Sequence, residues 1–372
     1  MEVPWETEAA GDQVRRSSRL RRSKGRPSRS RRREEKLLLS RTDKEKPAEE
    51  KNNPPPPARE KEEKGEEEGR LLDEDEAAQD WMLSFRRGWE ECFADLYGSF
   101  EDNTSVPPMR YTEGTIPRYA SCEDVLQIFS VEVIETKDGL EWPLHVYGWV
   151  ATRDSVDQNR NLLFNRTRDN CQVLTQEDSY LLLTGPSRAV VFIDPVAFEV
   201  QLKVKGETES EEKVLCLEVF EHSAVYSFAH GPFIIRKRYS SKRCTLEVRF
   251  APLDNTVEAT LEKLLPVLPA YTLGISWLLD SRDGRMPTSC EGEINLSRNV
   301  VSVELSGQLK VRVVASQVDN RSDDVVEGSV VFTPLKAGCS SATCGLGFCK
   351  VEITVAWSLL ATLAKMRFLS VY

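Results

Sequence analysis

The chain has 372 residues, of which 40% are apolar and 30% charged, with a formal net charge of −10 at pH 7. That suffices for a core, but no run reaches the about 18 apolar residues of a membrane-spanning helix, and Pro266 and Pro269 interrupt the most apolar stretch, Leu264–Leu279. The charge is divided, because Arg15–Arg33 holds 11 Lys/Arg and no acid while the rest carries 39 basic against 60 acidic residues, so a polyanion-seeking arm precedes a body that repels polyanions.

Residues 1–76 contain RRSSRLRRSKGRPSRSRRR, the prolines Pro54–Pro57 and the acidic block Glu60–Gly69. Almost nothing there is apolar, and ordering such a chain costs ~1–2 kcal/mol per residue without burial in return, so a disordered arm is expected. Three readings of Arg21, Arg22, Lys24, Arg26, Arg31, Arg32 and Arg33 stay open. They form a solvated tail, or a nuclear import signal docking in an acidic carrier groove, or a DNA contact. The last rests on Lys24-Gly25-Arg26-Pro27, which resembles an AT-hook with Lys24 in place of its arginine. The opening MEVPWETEAAGD is acidic and lacks a secretory apolar segment, so the expected location is intracellular, in nucleus and/or cytoplasm.

From Asp75 to Tyr97 the apolar residues recur every three or four positions, which predicts an amphipathic helix spanning about 77–98. Its face of Trp81, Phe85, Trp89 and Phe93 must be covered, either by the body of the protein or by a partner's groove. Asp73–Glu76 oppose the helix dipole at its start. Residues 99–121, with Pro107-Pro108 and Gly114, read as a linker.

Residues 122–357 read as one antiparallel, sandwich- or barrel-like β domain of about a dozen strands. In Cys244–Phe250 alternation puts Leu246, Val248 and Phe250 on one side, and Thr256–Leu261 does the same with Val257, Ala259 and Leu261. The intervening APLDN predicts a hairpin turn, and Ser306-Gly307 predicts a second between Val301–Leu305 and Leu309–Val314. Glu262–Leu279 breaks the alternation and reads as an insert. The tail 358–372 is amphipathic, and Lys365 and Arg367 exclude a membrane span.

No phosphate loop, nucleophile elbow or zinc-protease motif is present, and no cofactor is implied. The nine cysteines are scattered without a CxxC pair, which suits free thiols in a reducing compartment. Cys339, Cys344 and Cys349 read as a glycine-rich turn before a strand rather than a zinc site, and catalysis through His145, His222 or His230 with a cysteine has no supporting spacing. Sequons start at Asn103, Asn165, Asn295 and Asn320. The densest polar feature is the loop Arg153, Asp154, Asp157, Asn159, Arg160, Asn161, Asn165, Arg166, Arg168, Asp169. Two readings apply to it: the residues pair with one another and brace the loop, or they bind a protein or ligand.

LQIFSVEV, WPLHVYGWVATRDSVDQNRNLLFNRTRDNCQ, LLLTGPSRAVVFIDPVAFEVQLKVKG, VEGSVVFTP and GFCKVEITVAWS together resemble the plant, chiefly grass, family known as domain of unknown function 6598. The resemblance covers Cys122–Trp357 and implies a β-rich domain without an assigned activity. Because some relatives of that family occur beside rRNA N-glycosidase-type domains, it also implies a toxin or defence context as the alternative to a non-enzymatic interaction module with an unidentified protein partner.

Overall fold

The computed structural model describes residues 73–223, 234–266, 272–274, 294, 296–316, 325–347 and 350–362. Arg21, Arg22, Lys24, Arg26, Arg31, Arg32, Arg33, His230, Cys349 and the tail from 363 onward lie outside the described residues. Within them the chain is mainly antiparallel β with one helix, in sheets that do not close into a barrel. None of the described helices is long and apolar enough to cross a membrane.

Helix α1 (Glu74–Tyr97) starts at Asp73, whose carboxylate accepts from the Asp75 amide, and ends at Gly98, whose φ of 91° suits glycine. Its first turn is held by Lys242, 2.7 Å from Asp73, and by Arg243, 2.8 Å from Asp75. The apolar stripe faces the β body: Trp89 is buried, and Phe85 and Trp89 pack edge-on against Phe100 at 5.9 and 5.5 Å. Trp81 stays 48% exposed but donates to the Val219 carbonyl at 2.9 Å.

The first sheet joins β3 (Asn161–Arg166), β2 (Leu144–Arg153), β5 (Val196–Val204) and β6 (Lys213–His222) in that order, with β4 (Gln172–Leu174) also on β2. Gly148 in β2 has φ 112° and passes so close to β5 that a Cβ would lie 2.1 Å from the Gln201 carbonyl oxygen. Any side chain there would part the two strands.

The second sheet is built on β8 (Cys244–Pro266), which pairs with β1 (Glu123–Thr136) and β7 (Ile235–Ser240) over its first half. Over its second half it pairs with β10 (Val300–Glu304) and β14 (Lys350–Ser358), and β13 (Ala337–Gly345) adds to β14. A third sheet has the order β12 (Val325–Phe332), β11 (Leu309–Ser316), β9 (Thr272–Gly274).

Two apolar cores result. Ile128, Val133, Val150, Phe164, Phe198, Leu202, Val248 and Phe250 fill the space between the first sheet and the first half of β8 with β1. Val257, Leu261, Val313, Phe332, Ile353 and Trp357 fill the space between the second half of β8 with β14 and the third sheet. Each fully buried side chain of this kind contributes about 1.5–3 kcal/mol.

The strands read from alternation are present, but both predicted hairpins are not. The two halves of β8 never pair with each other; APLDN continues the strand, with Pro252 opposite Leu126 of β1 and only Asn255 turned to φ 51°. Leu126 gives its amide to the Val190 carbonyl, so it needs no acceptor from that register. Likewise β10 joins β8 while β11 joins β12, so the turn at Ser306-Gly307 separates two sheets. Part of the supposed insert extends β8 to Pro266, and Thr272–Gly274 forms β9.

One core group makes the fold acid-sensitive. His222 is buried, stacks on Phe192 at 5.4 Å and lies 4.8 Å from Phe250, and burial, with a smaller push from Lys237, lowers its pKa from the ordinary 6.5 to about 4. A lowered folded-state pKa means that the neutral ring stabilises the fold fully above pH 6.5 and that this contribution is lost as pH falls from 6.5 towards 4. Urea midpoints at pH 7 and pH 5 should therefore fall further for the natural chain than for His222→Phe; an equal fall would remove His222 from the account.

Candidate functional site

The polar loop is drawn into the protein by charge. At the end of β2, Arg153 is buried and its Nη2 lies 2.9 Å from Oε2 of Glu199, a β5 residue that is only 1% exposed. Arg160, at the other end of the loop, reaches the same carboxylate through Nε at 3.0 Å and through Nη2. Glu199 thus sits between two guanidinium groups, and Trp149 Nε1 is 3.4 Å from its Oε1.

The remaining Arg153 donors go to main-chain oxygens of Gln158 at 2.7 Å and Phe100 at 2.6 Å. Aromatic faces cover the cations: Arg153 lies 4.2 Å from the Phe100 ring centre and 5.1 Å from Trp89, and Arg160 lies 5.1 Å from both Phe100 and Trp149. The Trp89 indole donates to the Gln158 carbonyl at 2.8 Å. Burial lowers the Arg153 pKa to about 10 against the opposing pull of Glu199, which leaves it charged at neutral pH.

A second network inverts the signs. Arg188 binds Asp154 through two nitrogens, at 2.6 and 3.0 Å, and Asp157 at 3.0 Å. Asp154 also accepts the amides of Val156 and Val191, both at 2.9 Å, and Asp157 accepts from Thr104 at 2.8 Å. Burial opposes the Arg188 charge, but the two carboxylates outweigh it and its pKa is raised. Nearby, Glu258 of β8 accepts the amides of Met109 and Ala189 at 2.8 Å each, and burial pushes its pKa up. Asn161 holds the 187–188 segment through its side-chain amide.

The loop residues read from sequence therefore separate into two sets. Arg153, Asp154, Asp157, Arg160 and Asn161 are buried in these networks. Asn165 and Asp169 are exposed, Arg166 and Asn159 are half-buried, and Arg168 pairs with Glu212 at 2.6 Å. Among the described residues, Asn159 Oδ1 and Arg166 Nε have no hydrogen-bond partner.

Sequence reasoning missed Glu199, Arg188, Glu258 and Phe100. The first three carry a usable signal, since each is a lone charge inside an apolar run, VAFEVQL, SRAVVF and TVEATL. Of the cysteine–histidine combinations, the structure brings Cys171 Sγ to 3.9 Å from His145 Nδ1 at the surface. Cys339 is exposed and Cys344 buried, and among the described residues no group of three His, Cys, Asp or Glu could hold a metal.

Fold and centre together define a β-sheet domain with two cores, braced by buried ion pairs. The chain belongs to the family described as Domain of unknown function (DUF6598), whose model matches residues 125–355, nearly the bounds of the resemblance drawn from its motifs. No curated protein matches the chain by sequence.

Among solved structures, human GIVD cytosolic phospholipase A2 is similar at 9% identity with a TM-score of 0.22, over 66% of this chain and 33% of that one. The chain thus spans a third of that protein's length. A calcium-bound pair of C2 domains from Extended-Synaptotagmin 2 is similar at 10% identity with a TM-score of 0.21, over 65% of this chain and 98% of that one. Neither likeness is close enough to carry an argument.

Removing one member of a buried ion pair leaves a charge uncompensated. Glu199→Ala is expected to cost about 3–5 kcal/mol in urea unfolding. The joint replacement of Arg153, Glu199 and Arg160 by Met, Leu and Met is expected to cost much less, because no charge is then stranded. Equal losses in the two variants would mean that packing, not charge, sets the value of this centre.

Proposed function

We propose that the chain is a non-enzymatic interaction module whose β body binds a protein or small partner through a braced loop, and whose basic arm directs it to the nucleus. The observation that supports this most is the division of the loop. Arg153, Asp154, Asp157 and Arg160 face inward and fix its backbone, while Asn165 and Asp169 remain exposed on β3 and the turn after it, with Arg166 half-buried between them. A surface held rigid before binding loses less conformational freedom when a partner arrives. The eleven basic residues of Arg15–Arg33 supply the positive charge that the acidic body lacks.

The alternative, a toxin-associated module acting on ribosomal RNA, needs an open pocket in which a carboxylate and an arginine meet stacking aromatics. Glu199, Arg153, Arg160, Trp89, Trp149 and Phe100 have that composition, but both carboxylate oxygens of Glu199 are occupied by guanidinium groups and the aromatic rings close over them. No substrate reaches a group so covered, so the interaction reading is preferred.

A fluorescent fusion lacking Arg15–Arg33 is expected to lose nuclear accumulation, and an unchanged distribution would refute the role given to the arm. For the body, Arg166→Ala combined with Asp169→Ala should weaken a partner captured by the natural chain at least about tenfold. The thermal midpoint should stay unchanged; full retention of the partner by this variant would place the contact elsewhere.

A further inference from the structure

We propose that Cys171 is a modification site, conjugated as a mixed disulfide by low-mass disulfides such as oxidised glutathione, with His145 as the base that takes its proton. Strand register brings the two residues together. His145 of β2 stands opposite Val173 of β4, and Cys171, just before β4, is extended at the end of the 3-10 turn Arg168–Asn170. Leu144 and Leu174 oppose each other in the first core and Val146 joins them, so alternation turns His145, Val173 and Cys171 to the outer face of the sheet. There Cys171 Sγ lies 3.9 Å from His145 Nδ1.

This face is open to solutes. His145 is exposed, Val173 is 50% exposed and Cys171 is half-buried, so a reagent meets sulfur and imidazole together. The main chain of His145 is fixed by β4 on one side, and on the other its carbonyl accepts the Lys205 amide at 2.8 Å. A separation of 3.9 Å closes by rotation of the exposed imidazole as the reagent arrives. The pairing is particular to this thiol. Among the described residues Cys216, Cys244 and Cys344 are buried, and Cys92 and Cys339 are exposed without a hydrogen bond to an imidazole. The thiolate is the nucleophile in disulfide exchange, and an ordinary thiol is mostly protonated at neutral pH, so an adjacent proton acceptor decides how readily it reacts.

The exchange balances without a further oxidant. The Cys171 proton passes to His145 Nδ1 and the sulfur attacks one sulfur of the reagent; a new S–S bond forms, the reagent's S–S bond breaks, and the departing thiolate takes the proton back from the imidazolium. Cys171 is oxidised to the disulfide level and half of the reagent is reduced to a thiol. Excess thiol reverses the reaction, so in a reducing compartment Cys171 stays free until low-mass disulfides accumulate.

The test treats the full reduced chain with oxidised glutathione, alkylates the remaining thiols at timed intervals and follows each cysteine by mass spectrometry. Exposure alone predicts that Cys92, which is exposed, reacts before the half-buried Cys171. The expected order is the reverse, with Cys171 conjugated at least about fivefold faster than Cys92 and released by dithiothreitol. In His145→Gln, where the amide oxygen accepts a hydrogen bond but cannot carry the proton away, the rate at Cys171 should fall to that of Cys92 or below. The rate at Cys92 and the thermal midpoint should not move. A Cys171 no faster than Cys92 in the natural chain would overturn the proposal, as would an unchanged Cys171 rate in His145→Gln. The ratio of the two rates in the natural chain decides even if the variant is unstable.

Discussion

A carboxylate out of reach of water has to be met by cations, and Glu199 is the place where this chain accepts that condition. Stripping its hydration costs several kcal/mol, which only well-placed opposite charges recover. The two arginines that meet it stand at either end of the β2–β3 loop, so the loop must fold inward over β5 for both to arrive. Phe100 supplies a carbonyl and a ring face to those arginines, and Trp89 packs on Phe100. The seat of α1 is therefore decided in β5, about a hundred residues later in the chain.

The neighbouring network shows why a charged centre of this size is tolerable. Glu199 between Arg153 and Arg160 carries an excess positive charge, and Arg188 between Asp154 and Asp157 carries an excess negative one. Arg153 and Asp154 are consecutive, and consecutive residues of an extended chain point to opposite sides. One turn of backbone thus feeds both clusters, whose excess charges are of opposite sign.

The strands and the helix were legible because period is a local property: alternation in Cys244–Phe250 and the three-to-four spacing from Ala78 to Phe93 both appear in the fold. Pairing was not legible, since alternation states that a segment is a strand and not which strand lies beside it. Val257, Ala259 and Leu261 point into a core as read, but Thr256, Glu258 and Thr260 are buried too, because the segment around Met109 and Ala189 covers their face. The loop was misleading for a different reason. Arg and Asp concentrated between strands are usually solvated, and the fact that overrides this, an acid inside the apolar run of β5, lies outside the loop itself.

The continuity of β8 gives these local networks a wider effect. Its first half lines one core and its second half lines the other, and Glu258, shortly after Asn255, anchors the segment that carries Arg188. A strand shared in this way cannot leave one core without loosening the other, so the two sandwiches should melt together rather than as independent units. The centre itself is closed by its own charges, and Asn165 and Asp169 stand exposed next to the loop that those charges hold in place.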